Sequence, residues 1–232
     1  MNKLTKQLGR VIWGKRDSSE KPESARPGLR GIRLAGTWVD VGAHLGETTF
    51  QAAQDNPNLG IYAFEPNLKL ASQRWAVLTN FIVLPFAVAE IDGFVDFYLN
   101  ANDSASSLLP FIPEGLRQWA GGESLRVESK VRVPSTRLDT FMNRKGISKI
   151  EYLKVDAQGA DLAVIRSAGE RIRDIKKISL EVAIAPVSLY EGACRRAEIL
   201  SYLESFGFTL AESETQSYHQ EENLTFISGA AT

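Results

Sequence analysis

The amino-acid sequence predicts an α/β fold, a mostly parallel sheet with helices packed on both faces. Three observations carry this. Strand-like and helix-like segments alternate from residue 31 onward. Two strand-like segments run into glycine turns, at "VDVGAHLG" and again at "KVDAQG". Two more, "FTLAES" and "NLTFIS", close the chain across a short polar link, which fits an antiparallel hairpin at a sheet edge.

Each element follows from its own pattern. In "MNKLTKQLGRVIW", Leu4, Leu8, Val11 and Ile12 recur at helical spacing among Lys3, Lys6 and Arg10. Docking on the domain or on a second copy of the chain, as a homodimer, is preferred to a membrane surface for this helix. "DSSEKPESARPGLR" reads as a linker, so residues 1–30 are taken as helix and linker and residues 31–232 as the domain. "TWVDV" and "GIYAFE" are strands, and "GETTFQAAQDN" between them is a helix that stops near Asn56-Pro57. "NLKLASQRWAVLTN" reads as a helix and "FIVLPFAVAE" as a strand. Asp92-Gly93 is a hairpin signal leading into "FVDFYLN". Residues 100–127 are loop-rich, the kind of long insert that often carries function. "SKVRVPS" returns as a strand, "TRLDTFMNRKG" as a helix ended by Gly146, "IEYLKVD" as a strand and "ADLAVIRSAGERIR" as a helix. "KKISLEV" is a strand and "RRAEILSYLESFG" a helix.

Composition narrows the function. The 232 residues are 44% hydrophobic and 24% charged, enough for one domain with its own core. A net charge of −1 gives no bulk basic field for nucleic acid. No apolar run is long enough to span a membrane, and no signal-peptide pattern opens the chain. The single cysteine, Cys194, excludes an intrachain disulfide, and the cytoplasm is the expected compartment. Metal-ligand spacing of Cys and His is absent; a magnesium site at Asp40, Asp156 and Asp161 is a minor alternative to no metal.

The turn after the first strand is Asp40-Val-Gly42-Ala-His-Leu-Gly46. A dinucleotide fingerprint needs its second glycine two positions after the first, where this chain has His44, and no P-loop pattern occurs. A carboxylate at the strand end repels phosphate and suits a cation. Gly42 and Gly46 leave the backbone bare, and the helix after Gly46 offers free N–H groups to a ligand carboxylate. Glu65, 25 positions after Asp40 at the end of the next strand, suits ribose hydroxyls. A cationic centre, an amino-acid head and a ribose without phosphate describe S-adenosyl-L-methionine. Taken singly, Asp40 reads as well as a satisfied turn carboxylate and Glu65 as a helix N-terminal charge; their joint placement favours the ligand.

From residue 36 to 228 the segments "VDVGAHLGETT", "FEPN", "FAVAEIDGFVDFYL", "NDSASSLL", "STRLDTF", "YLKVDAQGADLAVIRSAG" and "LEVA…LY" follow one another in an order that resembles the FkbM-type S-adenosylmethionine-dependent methyltransferases. The resemblance implies a class I methyltransferase sheet, Rossmann-like and seven-stranded, with the last strand antiparallel. It implies O-methylation of a hydroxyl on a sugar, glycan or polyketide-type product. It places Asp40, Gly42 and Gly46 on the methionine side of the cofactor, with Ala43, His44 and Thr48 in the same loop. Glu65 takes the ribose hydroxyls, flanked by Pro66 and Asn67. Phe86, Ala87 and Val88 fall where the adenine rests, and Ser106, Ser107 and Leu108 cover the cofactor. Two positions depart from the family: His44 replaces a usual Asn, and "DAQGAD" replaces D-x-E-G-x-E, which leaves the base open.

Transfer of a methyl group to an alcohol gains from a general base. Asp156, at the end of "EYLKVD", is the first candidate, and it also borders the cofactor. Glu181, near the end of "KKISLEV", is the second; both are expected to point into the crevice above the first strand. His44 is a third. An N-cap role for Asp156 and a paired structural carboxylate for Glu181 are the plain alternatives. Tyr190 and the insert aromatics Phe111 and Trp119 read as packing before substrate contact. A cofactor-binding fold kept as a non-catalytic partner is the rival function, and N-methylation or methylation of a small acid the rival chemistry.

Overall fold

The computed structural model describes residues 35–229. The helix and linker read from residues 1–30 lie outside the described residues. β1 (Gly36–Val41) buries Val39, Asp40 and Val41. After the glycine turn, α1 (Thr49–Asp55) buries Thr49, Phe50 and Ala53 and stops short of Pro57. β2 (Leu59–Phe64) leads to α2 (Leu68–Arg74), capped by Asn67, whose side chain accepts from the Lys69 N–H at 3.1 Å. The helix expected to run on to Asn80 ends here. Only Leu70 and Ala71 find cover, Trp75 and Val77 stay exposed, and Ala76 turns left-handed at φ +57°. A short helix without a buried stripe has little to propagate it.

β3 (Phe81–Leu84) and β4 (Ala87–Val88) divide the single strand expected over residues 81–90, with Pro85 between them. β5 (Gly93–Asn100) follows, then α3 (Pro113–Gln118) inside the long insert, then β6 (Val127–Thr136). The Asp92-Gly93 hairpin does not form. These strands make a small sheet of order β4-β6-β5, so β6 separates the two strands that Asp92-Gly93 connects. Asp92 instead accepts from Thr136 Oγ1, the Arg137 N–H and Thr140 Oγ1 at 3.0, 3.1 and 2.8 Å, which pins the entry to α4 (Leu138–Lys145). Gly146 ends α4 in a left-handed cap, as its position predicts.

β7 (Tyr152–Val155) leads to α5 (Asp161–Arg166). The longer helix expected there breaks at Ser167, whose hydroxyl donates to the Val164 carbonyl and accepts from the Leu138 N–H, and Gly169 turns left-handed. A 3-10 segment, Gly169–Asp174, completes the connection. β8 (Lys177–Ala183), α6 (Arg196–Ser205), β9 (Phe208–Thr215) and β10 (Glu221–Ser228) finish the fold.

The main sheet has seven strands in the order β3-β2-β1-β7-β8-β10-β9, parallel from β3 to β8, with β10 antiparallel to both its neighbours. Alternate side chains of β2 enter opposite layers. Leu59, Ile61 and Ala63 join Phe50 and Phe81, whereas Phe64 joins Leu138, Met142 and Ile165. The sheet is therefore covered on both faces. Side chains such as Phe64, Phe81 and Leu153, at 0–2% exposure, are each worth about 1.5–3 kcal/mol of burial. Register sets Asp40 beside Ala63 on one side and Lys154 on the other. The order reverses between β1 and β7, which puts a crevice above the carboxyl end of β1.

Candidate active site

A cleft of about 450 Å³ opens at that crevice, within the size range of small-molecule sites. The β1–α1 turn supplies Asp40, Gly42, Ala43, His44, Glu47 and Thr48. Glu65 and Pro66 enter from the end of β2, and Phe86, Ala87 and Val88 from the β3–β4 junction. The insert adds Asn102, Asp103, Ser104, Ser106 and Leu108, and the end of β7 adds Lys154, Asp156 and Gln158.

Asp40 is 1% exposed and already paired. Its Oδ1 accepts from Lys154 Nζ at 3.0 Å and its Oδ2 accepts from Thr49 Oγ1. The cation the sequence assigns to a ligand is therefore supplied by the chain itself. Burial disfavours the charged amine, but Asp40 and Asp156 outweigh it and raise Lys154. The strand pattern leaves this legible in hindsight: Leu153 and Val155 are buried in the hydrophobic layer, so Lys154 between them faces the other way.

Both Glu65 oxygens are anchored. Oε2 accepts from the His44 N–H at 2.8 Å and Oε1 from the Asn67 N–H at 2.7 Å. Burial, against those two bonds, pushes Glu65 up to about 7. The His44 ring links the glycine turn to the insert, with Nδ1 2.7 Å from Glu47 and Nε2 3.2 Å from Asp103. Burial opposes its charge, and the two carboxylates overcome that and raise His44 to about 9. Its backbone is left-handed (φ +50°), as is that of Gln158 (φ +52°) in the matching turn after β7. Non-glycine residues in that region mark sites where local strain is tolerated.

Asp156 Oδ1 accepts from Gln158 Nε2 at 2.7 Å. It does not cap α5, whose N-cap residue, Ala160, makes no side-chain cap; Asp161, the first helical residue, instead ties down the preceding turn, accepting from the Ala157 and Gly159 N–H groups at 3.1 and 3.0 Å. Tyr190 OH lies 2.9 Å from Gln158 Oε1 and 3.0 Å from the Ala105 carbonyl. The insert packs around it: Phe111 stacks on Tyr190 at 5.1 Å and Trp119 donates to the Val187 carbonyl at 2.8 Å. That is the packing role expected of these aromatics.

Four expected site residues lie off the cleft. Glu181 does not share it with Asp156; it borders a separate cavity of about 20 Å³ with Asp161, Tyr190, Cys194 and Glu221. Asn67 spends its side chain capping α2. Ser107 donates to the Gln158 carbonyl at 2.8 Å, beneath the cleft rather than in it. Gly46 is bare for packing: a Cβ there would stand 2.8 Å from the Phe81 ring. Gly42 does line the cleft, yet its first constraint is the β7 end, since a Cβ would fall 1.9 Å from the Asp156 carbonyl. Burial drives the Cys194 thiol up to about 11, so it is no nucleophile. Among the described residues no group of acidic, His and Cys side chains is placed to hold a metal. Asp40 and Asp161, two of the three carboxylates of the magnesium alternative, are engaged as above.

The model of the methyltransferase FkbM domain matches residues 40–210. The chain belongs to the FkbM methyltransferase family. A curated relative, the 2-O-methyltransferase NoeI of Sinorhizobium fredii (strain NBRC 101917 / NGR234), is 24% identical over 174 residues, covering 72% of this chain and 71% of its own length. The crystal structure of an FkbM methyltransferase from Methylobacillus flagellatus KT matches 87% of this chain at a TM-score of 0.50 and 13% identity. This chain spans just under half of that structure, 46%.

S-adenosyl-L-methionine is the cofactor of FkbM methyltransferases, and the cleft suits it. Five carboxylates line it, Asp40, Glu47, Glu65, Asp103 and Asp156, against Lys154 and His44. Such a lining favours a cationic sulfonium and repels a pyrophosphate. Phe86, Val88, Phe97 and Leu108 give an apolar wall suited to a purine.

Proposed function

We propose that this FkbM methyltransferase moves a methyl group from S-adenosyl-L-methionine to a hydroxyl oxygen of a sugar, glycan or polyketide-type natural product. The observation that carries the reading is Glu65, fixed by two backbone N–H groups inside an acidic cleft at the end of β2. When bound, the donor supplies a methyl carbon already activated by its sulfonium. Each Glu65 oxygen keeps a lone pair for a ribose hydroxyl. His44, tied to Glu47 and Asp103, joins the glycine turn to the insert and limits water at the mouth. Asp156 borders the cleft with a partly exposed carboxylate and takes the proton of the acceptor hydroxyl.

The relative named as a 2-O-methyltransferase favours oxygen over nitrogen as the acceptor atom. A cleft rich in carboxylates disfavours a small acid as substrate. The unpaired Cys194 agrees with a reducing, cytoplasmic setting. Pairing as a homodimer rests on the amphipathic N-terminal sequence alone.

The test is transfer of radiolabelled methyl from S-adenosylmethionine to glycan and polyketide extracts. The expected product keeps its label through mild alkali, as an ether does. Alkali-labile label would point to a methyl ester instead, and no incorporation would leave the non-catalytic rival. Asp156→Asn is expected to lower kcat by about 10²–10⁴-fold.

A further inference from the structure

Asp156 stands at the end of β7 between two unlike neighbours. Gln158 Nε2 donates to Oδ1 at 2.7 Å, and Lys154 Nζ lies 4.0 Å from Oδ2. That second separation is too long for a hydrogen bond but short for a charge interaction. Neither neighbour is free to wander. Lys154 is held at 3.0 Å on Asp40, which Thr49 holds in turn. Gln158 is 8% exposed, its carbonyl accepts from Ser107, and its side-chain oxygen faces the Tyr190 hydroxyl.

The chemistry of an amide makes this arrangement directional. With its oxygen turned to Tyr190, Gln158 can offer Asp156 only N–H donors. Oδ1 must accept there, so any proton on Asp156 has to sit on Oδ2. We propose that Lys154 and Gln158 are positioning residues for Asp156, fixing Oδ1 as a permanent acceptor and presenting a charged Oδ2 to the acceptor hydroxyl. The proposal rests on the reading of Asp156 as proton acceptor.

The other groups around Asp156 fit this division. Asp40 is linked to it from β1 through Lys154, while Asp161 at the start of α5, Glu181 on β8, Glu221 on β10 and Tyr190 behind Gln158 feel its charge from the neighbouring cavity. Burial first, and the charge of Asp156 second, raise Asp161 to about 7 and Glu221 to about 8, and raise Glu181 as well. Lys154 is the cation set among them.

The full chain labelled with ¹³C at the aspartate carboxyls tests this directly. Asp156 is assigned as the resonance lost in Asp156→Asn, and its midpoint is followed against pH. Gln158→Glu places a second acid at hydrogen-bond distance and Lys154→Met removes the cation. Each is expected to raise the midpoint by about one pH unit or more, whereas Lys154→Arg keeps the charge and stays near the parent. Midpoints in Gln158→Glu and Lys154→Met that coincide with the parent's would overturn the proposal. Should Lys154→Met fail to fold because Asp40 is stranded, Gln158→Glu decides alone. Calorimetric titration of the parent with S-adenosylhomocysteine separates the two failures: no uptake would sink the methyltransferase reading while leaving the Asp156 midpoint readable.

Discussion

Lys154 and Asp40 show how a single pair sets the floor of the cleft. Asp40 is buried while Lys154 reaches the cleft, so removing the lysine leaves the Asp40 carboxylate buried with only the Thr49 hydroxyl. Lys154→Met is expected to lower unfolding free energy by about 3–5 kcal/mol in chemical denaturation. Adding Asp40→Asn should restore part of that loss, and strict additivity of the two changes would contradict the pairing. His44 makes a pH prediction. Its folded pKa of about 9 lies above the ordinary 6.5. The stability it contributes is therefore complete below about pH 6.5 and is lost as pH rises through 9. The parent's melting temperature should fall more between those limits than that of His44→Gln; parallel curves would show that the bridge to Glu47 and Asp103 carries no charge. At this scale the sequence revealed Asp40, Glu65 and Asp156 through their places at strand ends. Alternation with Leu153 and Val155 shows only which way Lys154 faces, and the family departure only marks Gln158; the partners that give them a role lie 114 and 32 positions away and leave no local signal.

Elements were legible where a local signal coincides with a tertiary demand. Gly146 ends α4 and Pro57 follows the end of α1, as their chemistry requires. α2 and α5 are shorter than their sequences suggest, since burial and the Ser167 hydroxyl decide their ends. The Asp92-Gly93 turn reads as a hairpin locally and is overruled by β6, which pairs with the strands on both sides. The β1–α1 turn is the element on which the site depends. In Gly42→Ala the new Cβ meets the Asp156 carbonyl in a backbone with φ +70°. Strain and overpacking together are expected to cost roughly 2–5 kcal/mol, with cofactor affinity lost at the same time. A variant with parental melting and parental affinity would show that this close approach is dispensable.

For the molecule as a whole, the alternating pattern and the closing strands give a mostly parallel sheet with an antiparallel edge, the family resemblance adds the count of seven strands, and the crevice above β1 follows from the strand order. What they leave open is which carboxylates face that crevice, since Glu181 and Asp156 sit at equivalent heights on adjacent strands and open on different cavities. The buried acids also set a global pH response. Glu65 and Asp161 at about 7 and Glu221 at about 8 favour their neutral forms in the fold. The folded state is then penalised increasingly as pH rises from the ordinary carboxylate range to about 8. Glu47, Asp92, Asp139 and Glu222 are lowered, and their contribution is lost as pH falls through the acid range. Melting temperature should therefore peak near about pH 5 and decline toward pH 9, and a maximum above about pH 8 would contradict this assignment of buried acids.

Calorimetric titration with S-adenosylhomocysteine, run on the parent and on Glu65→Ala, tests most directly whether the cleft above β1 holds the cofactor by its ribose. One site per chain is expected in the parent and an affinity at least about tenfold weaker in the variant, from the loss of a pair of hydrogen bonds to the ribose. Equal affinity in both proteins would contradict it, as would a parent that takes up NADH and leaves the thioether unbound.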